Sequence, residues 1–441
     1  MPVSRKRKKK SGRSGRSRVP ARANVLGFRG DLGEQDRREL AEAWRGMAAY
    51  RDQVGARRAS LAAAAATDLV SGLVAAVVNQ PDLIVEDALC LRLGTLLGEA
   101  QRASVDDRVG PYDLAEALVV AAVAEVDATT GQADAWHAPW RVLTAVAAIL
   151  PYPDSAAALD AIARLRDTEG GRVLPAAPPG PAVTGPVLWT RDRYGSRFAV
   201  VAPVTTAGAP VRWYLWDIDA CGHQVFTVHS GFYPTPDAAL TEWQAAVGQV
   251  AAAGTALAPV DDPWLVAELL PVELGFMRSG GESVEQFAEY HRGMRLGEVV
   301  KQALPDRETQ PDRGVDAATA AVEFAAWLRA RDASQQELPK DVDELATELA
   351  DSWCISNIHA VFATCSPHRV ALCVLHVRGY YLDDFADHLV ALLPEWIRWL
   401  AAHSATPAEL ADRCLPYTKG QPHPQITMDN IGPDYLARVI E

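Results

Sequence analysis

The chain has 441 residues, 49% hydrophobic and 22% charged, with a formal net charge of −13. That composition excludes a collagen-like or wholly disordered chain and is ample for roughly two to four packed domains. Six scattered cysteines, Cys90, Cys221, Cys354, Cys365, Cys373 and Cys414, are too sparse for a disulfide scaffold and predict reduced thiols in a cytoplasm.

Residues 1–30 carry eleven Lys and Arg and no Asp or Glu, whereas the other 411 carry 32 basic and 56 acidic residues, a balance of −24. The chain has 36 Arg and 7 Lys, and four of the lysines fall at positions 6–10. In a composition typical of a GC-rich bacterial genome, that cluster runs against the usage of its own chain. The block Arg5, Lys6, Arg7, Lys8, Lys9, Lys10, Arg13, Arg16 and Arg18 predicts a disordered arm that meets a polyanion, nucleic acid or a ribosome, without sequence specificity. A solubilising tail, or one that docks on the acidic body, is the alternative. No leucine-rich core follows the basic start, so no secretory signal is expected.

Residues 31–167 read as an α-helical domain. Ala, Leu and Val recur at helical steps over Glu34–Tyr50, Ser60–Val78, Ile84–Gln101, Tyr112–Val126, Pro139–Leu150 and Ser155–Arg166, as in a bundle or short helical stack. The stretch 60–78 is the most apolar, but it is Ala-rich and holds Asp68. It predicts a buried helix, and no membrane partner is expected. Residues 168–186, with GGRVLPAAPPGPAVTGP inside them, predict a Pro/Gly-rich linker.

Residues 187–255 predict a small α+β unit. Arg197–Val204, Val211–Asp219 and Gln224–His229 are rich in Val, Phe, Trp and Tyr between turn-like stretches, as in an antiparallel β-meander. Thr235-Pro236-Asp237 predicts a capped helix whose Leu240, Trp243, Val247 and Val250 cover one sheet face. Residues 256–441 return to a mainly helical region. Ser283/Gln286 and Thr406/Glu409 fit capping boxes, and 305–314 is a weaker linker. Helices are expected near Asp316–Arg331, Asp341–Ala350, Asp384–Leu393, Glu395–His403 and Pro407–Cys414. The run 369–377, RVALCVLHV, is compatible with a strand or a helix. The fold class is therefore mainly α with one small α+β unit.

Two constellations carry candidate chemistry. Cys354, His359, Cys365, His368, Cys373 and His376 include two Cys-x2-His pairs, but four intervening residues are too few for a zinc finger, and buried cysteines commonly act as small hydrophobes. Asp217, Asp219, His223 and His229 are placed to share a sheet face, since carboxylates two residues apart on a strand point the same way. Such a pair suits acid–base hydrolysis, although polar residues on a solvated sheet face are commoner. The loop 217–228 lacks the Glu that closes an EF-hand. Arg278–Gly281 lacks the ending of a P-loop. Paired tryptophans such as Trp136/Trp140 and Trp396/Trp399 fall at helical spacing and predict core. The chain therefore reads as a cytoplasmic interaction or accessory protein with a polyanion and a protein as candidate partners, with no catalytic, cofactor or metal residue assigned. The alternative is a hydrolase or metal-dependent enzyme using the 217–229 face or the Cys/His cluster at 354–376.

Overall fold

A computed structural model of the chain describes residues 34–168, 170–206, 210–222, 225–270, 283–305, 316–332, 341–353, 361–404 and 406–424. The basic run 5–18, residues 306–314 of the weaker linker and the segment 278–281 lie outside the described residues, as do His223, Cys354 and His359.

Five α-helices open the fold: α1 (Glu34–Asn79), α2 (Val85–Arg102), α3 (Pro111–Thr129), α4 (His137–Ile149) and α5 (Asp154–Asp167). The two helices expected over 34–78 are one 46-residue helix. The residues between them, RDQVGARRA, contain no proline, and their Arg, Gln and Ala favour helix, so a single Gly55 does not break it. In its second half, Ala66, Leu69, Val70, Leu73 and Val77 lie in the bundle core, which is the burial expected for 60–78. By length and composition α1 is also apolar enough over part of its course to cross a membrane.

The middle of the chain forms a six-stranded antiparallel sheet: β1 (Ala182–Val183), β2 (Leu188–Arg191), β3 (Arg197–Thr205), β4 (Arg212–Asp219), β5 (Phe226–Tyr233) and β6 (Ala258–Pro259). The order is β5-β4-β3-β2-β6, with β1 also on β3. The meander is the expected one, and β1 begins inside the Pro/Gly-rich stretch by pairing Ala182 with Thr205. Thr235 caps α6 (Pro236–Val247), its Oγ1 accepting from the Ala238 amide at 3.1 Å. Trp243 and Ala239 pack on Ala199, Val201 and Leu215, and this covers one sheet face. A short helix, α7 (Gln249–Ala252), follows.

The opposite face, with Phe198, Val200, Tyr214, Trp216 and Ile218, packs on α8 (Pro263–Leu269) and on Leu296 and Val300 of α10 (Tyr290–Ala303). Between them, α9 (Val284–Ala288) opens on the Ser283–Gln286 capping box. Phe287, Tyr290 and Met294 enter the core of the N-terminal bundle. The α9–α10 segment therefore mortises the bundle to the sheet: one face of α10 belongs to each core. Gly94 of α2 permits the approach, since a Cβ there would stand 2.4 Å from the Val284 carbonyl oxygen and 2.7 Å from the Ala288 amide nitrogen.

The C-terminal helices are α11 (Ala317–Asp332), α12 (Val342–Trp353), α13 (Pro367–Tyr380), α14 (Asp383–Ser404) and α15 (Ala408–Thr418). The run 369–377 is helical. Ser366 caps it, accepting from the Arg369 amide, with Pro367 in the first turn. The two helices expected over 384–403 are the single α14, which passes through Pro394. An internal proline costs a helix about 3 kcal/mol. Leu389, Leu393, Trp396, Ile397 and Leu400 are buried on either side of it, and burying such a side chain contributes about 1.5–3 kcal/mol each. The box expected at Thr406 does not form: its hydroxyl meets Ser404 at 2.7 Å, and α15 starts without a side-chain cap. Trp140, Trp396 and Trp399 are core, as their spacing predicts.

Candidate functional site

Strand β4 spans the sheet from one helical bundle to the other, and polar side chains gather at both of its ends. Its C-terminal end holds the sequence-flagged carboxylates. Asp217 and Asp219 share the face of Leu215, as strand parity requires. That face is not solvated at this point: Asp217 is 1% and Asp219 2% exposed. The register sets Arg197 of β3 opposite Asp219 and diagonal to Asp217. Arg197 grips Asp217 with two parallel hydrogen bonds, Nε to Oδ1 at 2.8 Å and Nη2 to Oδ2 at 2.7 Å. Burial nevertheless leaves the Asp217 carboxyl above its ordinary pKa, against the pull of Arg197.

Asp219 reaches across to the C-terminal bundle. Its Oδ2 meets His368 Nδ1 at 2.9 Å, and its Oδ1 accepts from the Cys221 amide at 2.7 Å. Burial opposes ionisation here too. His368, Arg197 and the Cys221 amide outweigh it and hold the carboxyl well below the usual range. His368 stands in the first turn of α13, two residues after its Ser366 cap. The Ser366 hydroxyl lies 3.2 Å from Cys221 Sγ. Burial pushes the Cys221 thiol far up, so it is a protonated thiol and a poor nucleophile. The ring of His423 stacks on His368, centroids 4.9 Å apart, and burial pulls its pKa down to about 4. In the β2–β3 turn, Asp192 accepts from the amides of Ser196 and Arg197 at 2.8 and 3.1 Å, and burial pushes it up to about 6.

The structure thus merges two constellations that are 149 positions apart in sequence. Asp219 of the sheet set and His368 of the Cys/His set form one hydrogen-bonded seam. Cys221, Asp219 and His368 each offer a ligand atom within 4.8 Å of the others. Among the described residues, the other members do not join. His229 faces Asp217 in the register but turns its Nε2 to Tyr233 Oη at 2.9 Å. Cys365 and Cys373 are core, and His376 stacks on Tyr380.

The N-terminal end of β4 carries a second network that no local sequence signal announces. Arg212 Nη1 donates to Asp87 of α2 at 2.8 Å, and Arg292 of α10 bonds both Asp87 and Glu289. Tyr214 Oη donates to Glu289 at 2.9 Å. Arg212 also lies 3.9 Å over the ring of Phe232. Each end of β4 is therefore locked to a neighbouring bundle by charge pairs whose polar atoms are turned on one another. No family model matches the chain, and neither a curated protein nor a solved structure matches it.

Proposed function

We propose that the protein is a non-enzymatic cytoplasmic accessory protein that engages a polyanion, nucleic acid or a ribosome, through Arg5, Lys6, Arg7, Lys8, Lys9, Lys10, Arg13, Arg16 and Arg18. The observation that carries the reading is the charge split, eleven basic residues and no acidic one in the first thirty against −24 on the rest. The seam chemistry supports it from the other side. A thiol raised by burial and carboxylates committed to Arg197 and His368 serve cohesion better than catalysis. Lys and Arg on a Gly/Ser-rich run neutralise phosphates without reading base edges. Six to eight contacts imply a log–log salt slope of about −5 to −7 on duplex DNA. Fluorescence anisotropy of the full chain and of a truncated chain starting at Asp31 tests this on duplex and single-stranded oligonucleotides. Equal binding by the two, or none by either, refutes nucleic acid as the partner.

A second reading, a metal-dependent enzyme, is favoured by the convergence of Asp219, Cys221 and His368. Elemental analysis of the purified full chain separates the two. Stoichiometric zinc or manganese, lost in Cys221→Ser and His368→Ala, supports the second reading over the first.

A further inference from the structure

Two of the cysteines meet inside the C-terminal bundle. Cys365 stands one residue before the Ser366 cap of α13, and Cys414 lies on the buried face of α15 with Leu410, Ala411 and Thr418. They are 3% and 0% exposed and share one core with Tyr194 and Val370. Cys414 Sγ lies 3.9 Å from the Cys365 carbonyl oxygen, and the two thiols hydrogen-bond each other. That bond, together with burial, pushes the Cys414 thiol far up. Both thiols are free. Among the described residues, the other cysteines have different surroundings. Cys221 Sγ meets the Ser366 hydroxyl at 3.2 Å, and Cys90 belongs to the core of the N-terminal bundle. Cys373 stands about 10.5 Å along α13 from Ser366, beyond the roughly 7 Å Cα limit for a bridge near the start of that helix.

We propose that Cys365 and Cys414 close into a disulfide when the chain meets an oxidising glutathione pool, and that the bond staples α15 to the start of α13. Exchange needs thiolates, and the folded chain keeps Cys414 protonated. The reaction therefore proceeds in the opened chain, at the rate of unfolding. The Cys365 thiolate attacks one sulfur of oxidised glutathione; the new S–S bond forms as the old one breaks, and one glutathione thiolate leaves. The Cys414 thiolate then attacks the Cys365 sulfur and releases the second glutathione. The protons shed by the two cysteines end on the two glutathiones, so two thiols are oxidised and one glutathione disulfide is reduced. The fold selects the product, because only thiols already in contact are bridged without moving the backbone. The bond joins positions 49 apart in sequence and so removes loop entropy from the unfolded chain. Burial then shields it from reductant. Helix α15 has most to gain. It starts without a side-chain cap and carries Pro416. Its outward tie, Glu409 to Arg193 at 2.7 Å, lies at the surface, where such a pair contributes little. The bond uses neither the basic run nor the Asp219–Cys221–His368 group.

The full chain is unfolded in urea, refolded in reduced or in oxidised glutathione buffer, capped with iodoacetamide and mapped by peptide mass spectrometry. From oxidised buffer, the peptides carrying Cys365 and Cys414 should come off as one cross-linked species. From reduced buffer they should come off separately, each capped. The oxidised chain should melt about 5 °C or more above the reduced one. Cys365→Ala and Cys414→Ala should each abolish that difference; where either variant fails to fold, the map and melting curves of the unchanged protein decide alone. Separate capped peptides from both buffers overturn the proposal, and so do glutathione adducts left on Cys365 or Cys414. A cross-link that joins either of them to another cysteine refutes the pairing. An oxidised chain that melts no higher than the reduced one refutes the staple.

Discussion

Replacing Arg197 with Met removes the only guanidinium that bonds Asp217 among the described residues, while keeping much of the side-chain volume. The Asp217 carboxylate is 1% exposed and takes both of its hydrogen bonds to Arg197 from one fork. Breaking one partner of such a buried pair leaves an uncompensated charge, a loss of about 3–5 kcal/mol. The double variant Arg197→Met/Asp217→Leu removes both charges and should recover most of that loss, because a buried pair and apolar residues of like volume are often equivalent. The pH dependence gives a second check. Burial holds the folded Asp217 pKa above its ordinary value even beside Arg197, and deleting Arg197 raises it further. A carboxyl raised by folding favours the folded state below its unfolded pKa, and that stability is lost as pH rises through the folded pKa. The Arg197→Met deficit should therefore be largest near neutral pH and shrink on acidification. Urea denaturation of the full chain, single and double variants measures it. A single variant costing under about 1 kcal/mol, or a double no more stable than the single, would refute the seam as an ion pair that spans a desolvated face.

Gly94→Ala should destabilise by about 1–3 kcal/mol despite the gain of about 1 kcal/mol in helix propensity, because its Cβ meets the α9 backbone; a stabilised variant in thermal unfolding would disprove the α2–α9 approach. Asp192→Asn keeps the acceptor for the Ser196 and Arg197 amides. Since Asp192 is pushed up to about 6, its contribution is present below the unfolded carboxyl pKa and fades as pH rises through 6, a change of roughly 2–3 kcal/mol. The variant should flatten stability between pH 4 and 7 on about that scale; an unchanged pH profile counts against the shift. Asp219 has the opposite sign: its carboxylate contributes at neutral pH, and that stability is lost as pH falls below the ordinary carboxyl range. Asp219→Asn should remove that acid-side loss and lower stability at pH 7, readable in the same titration. Cys90, Cys221, Cys365, Cys373 and Cys414 are buried, so thiol labelling followed by mass spectrometry should modify them only at the rate of unfolding; fast labelling of Cys221 in the native protein would contradict its burial.

Signals that act within a few residues were legible in the chain alone. The alternating Val, Phe, Trp and Tyr of 197–233 predict the meander because strand parity is local. Thr235 and the Ser283–Gln286 box predict helix starts because a cap is satisfied by an amide three residues away. Parity also placed Asp217 and Asp219 on one face. It did not place them in the core. Their burial depends on Arg197 lying across the β3–β4 register and on α13 arriving from 149 residues away, and no local pattern reports either. The same holds for the Asp87–Arg212–Arg292 network, whose members come from three separate elements.

The continuity of α14 was settled by tertiary burial as well, whereas that of α1 rests on the helix-favouring residues around Gly55. Gly55 and Pro394 are locally unfavourable by about 1 and 3 kcal/mol. For α14, the apolar face buried on both sides of Pro394 outweighs that cost. The run 369–377 was undecided by length, and its capped start at Ser366 and its packing against α14 and α15 made it helix. What the sequence by itself determined was the class, mainly helical with one antiparallel sheet, because periodicity and capping are written within single elements. What only the tertiary structure decided was which charges meet, because a buried ion pair is stable only where two distant segments exclude water together.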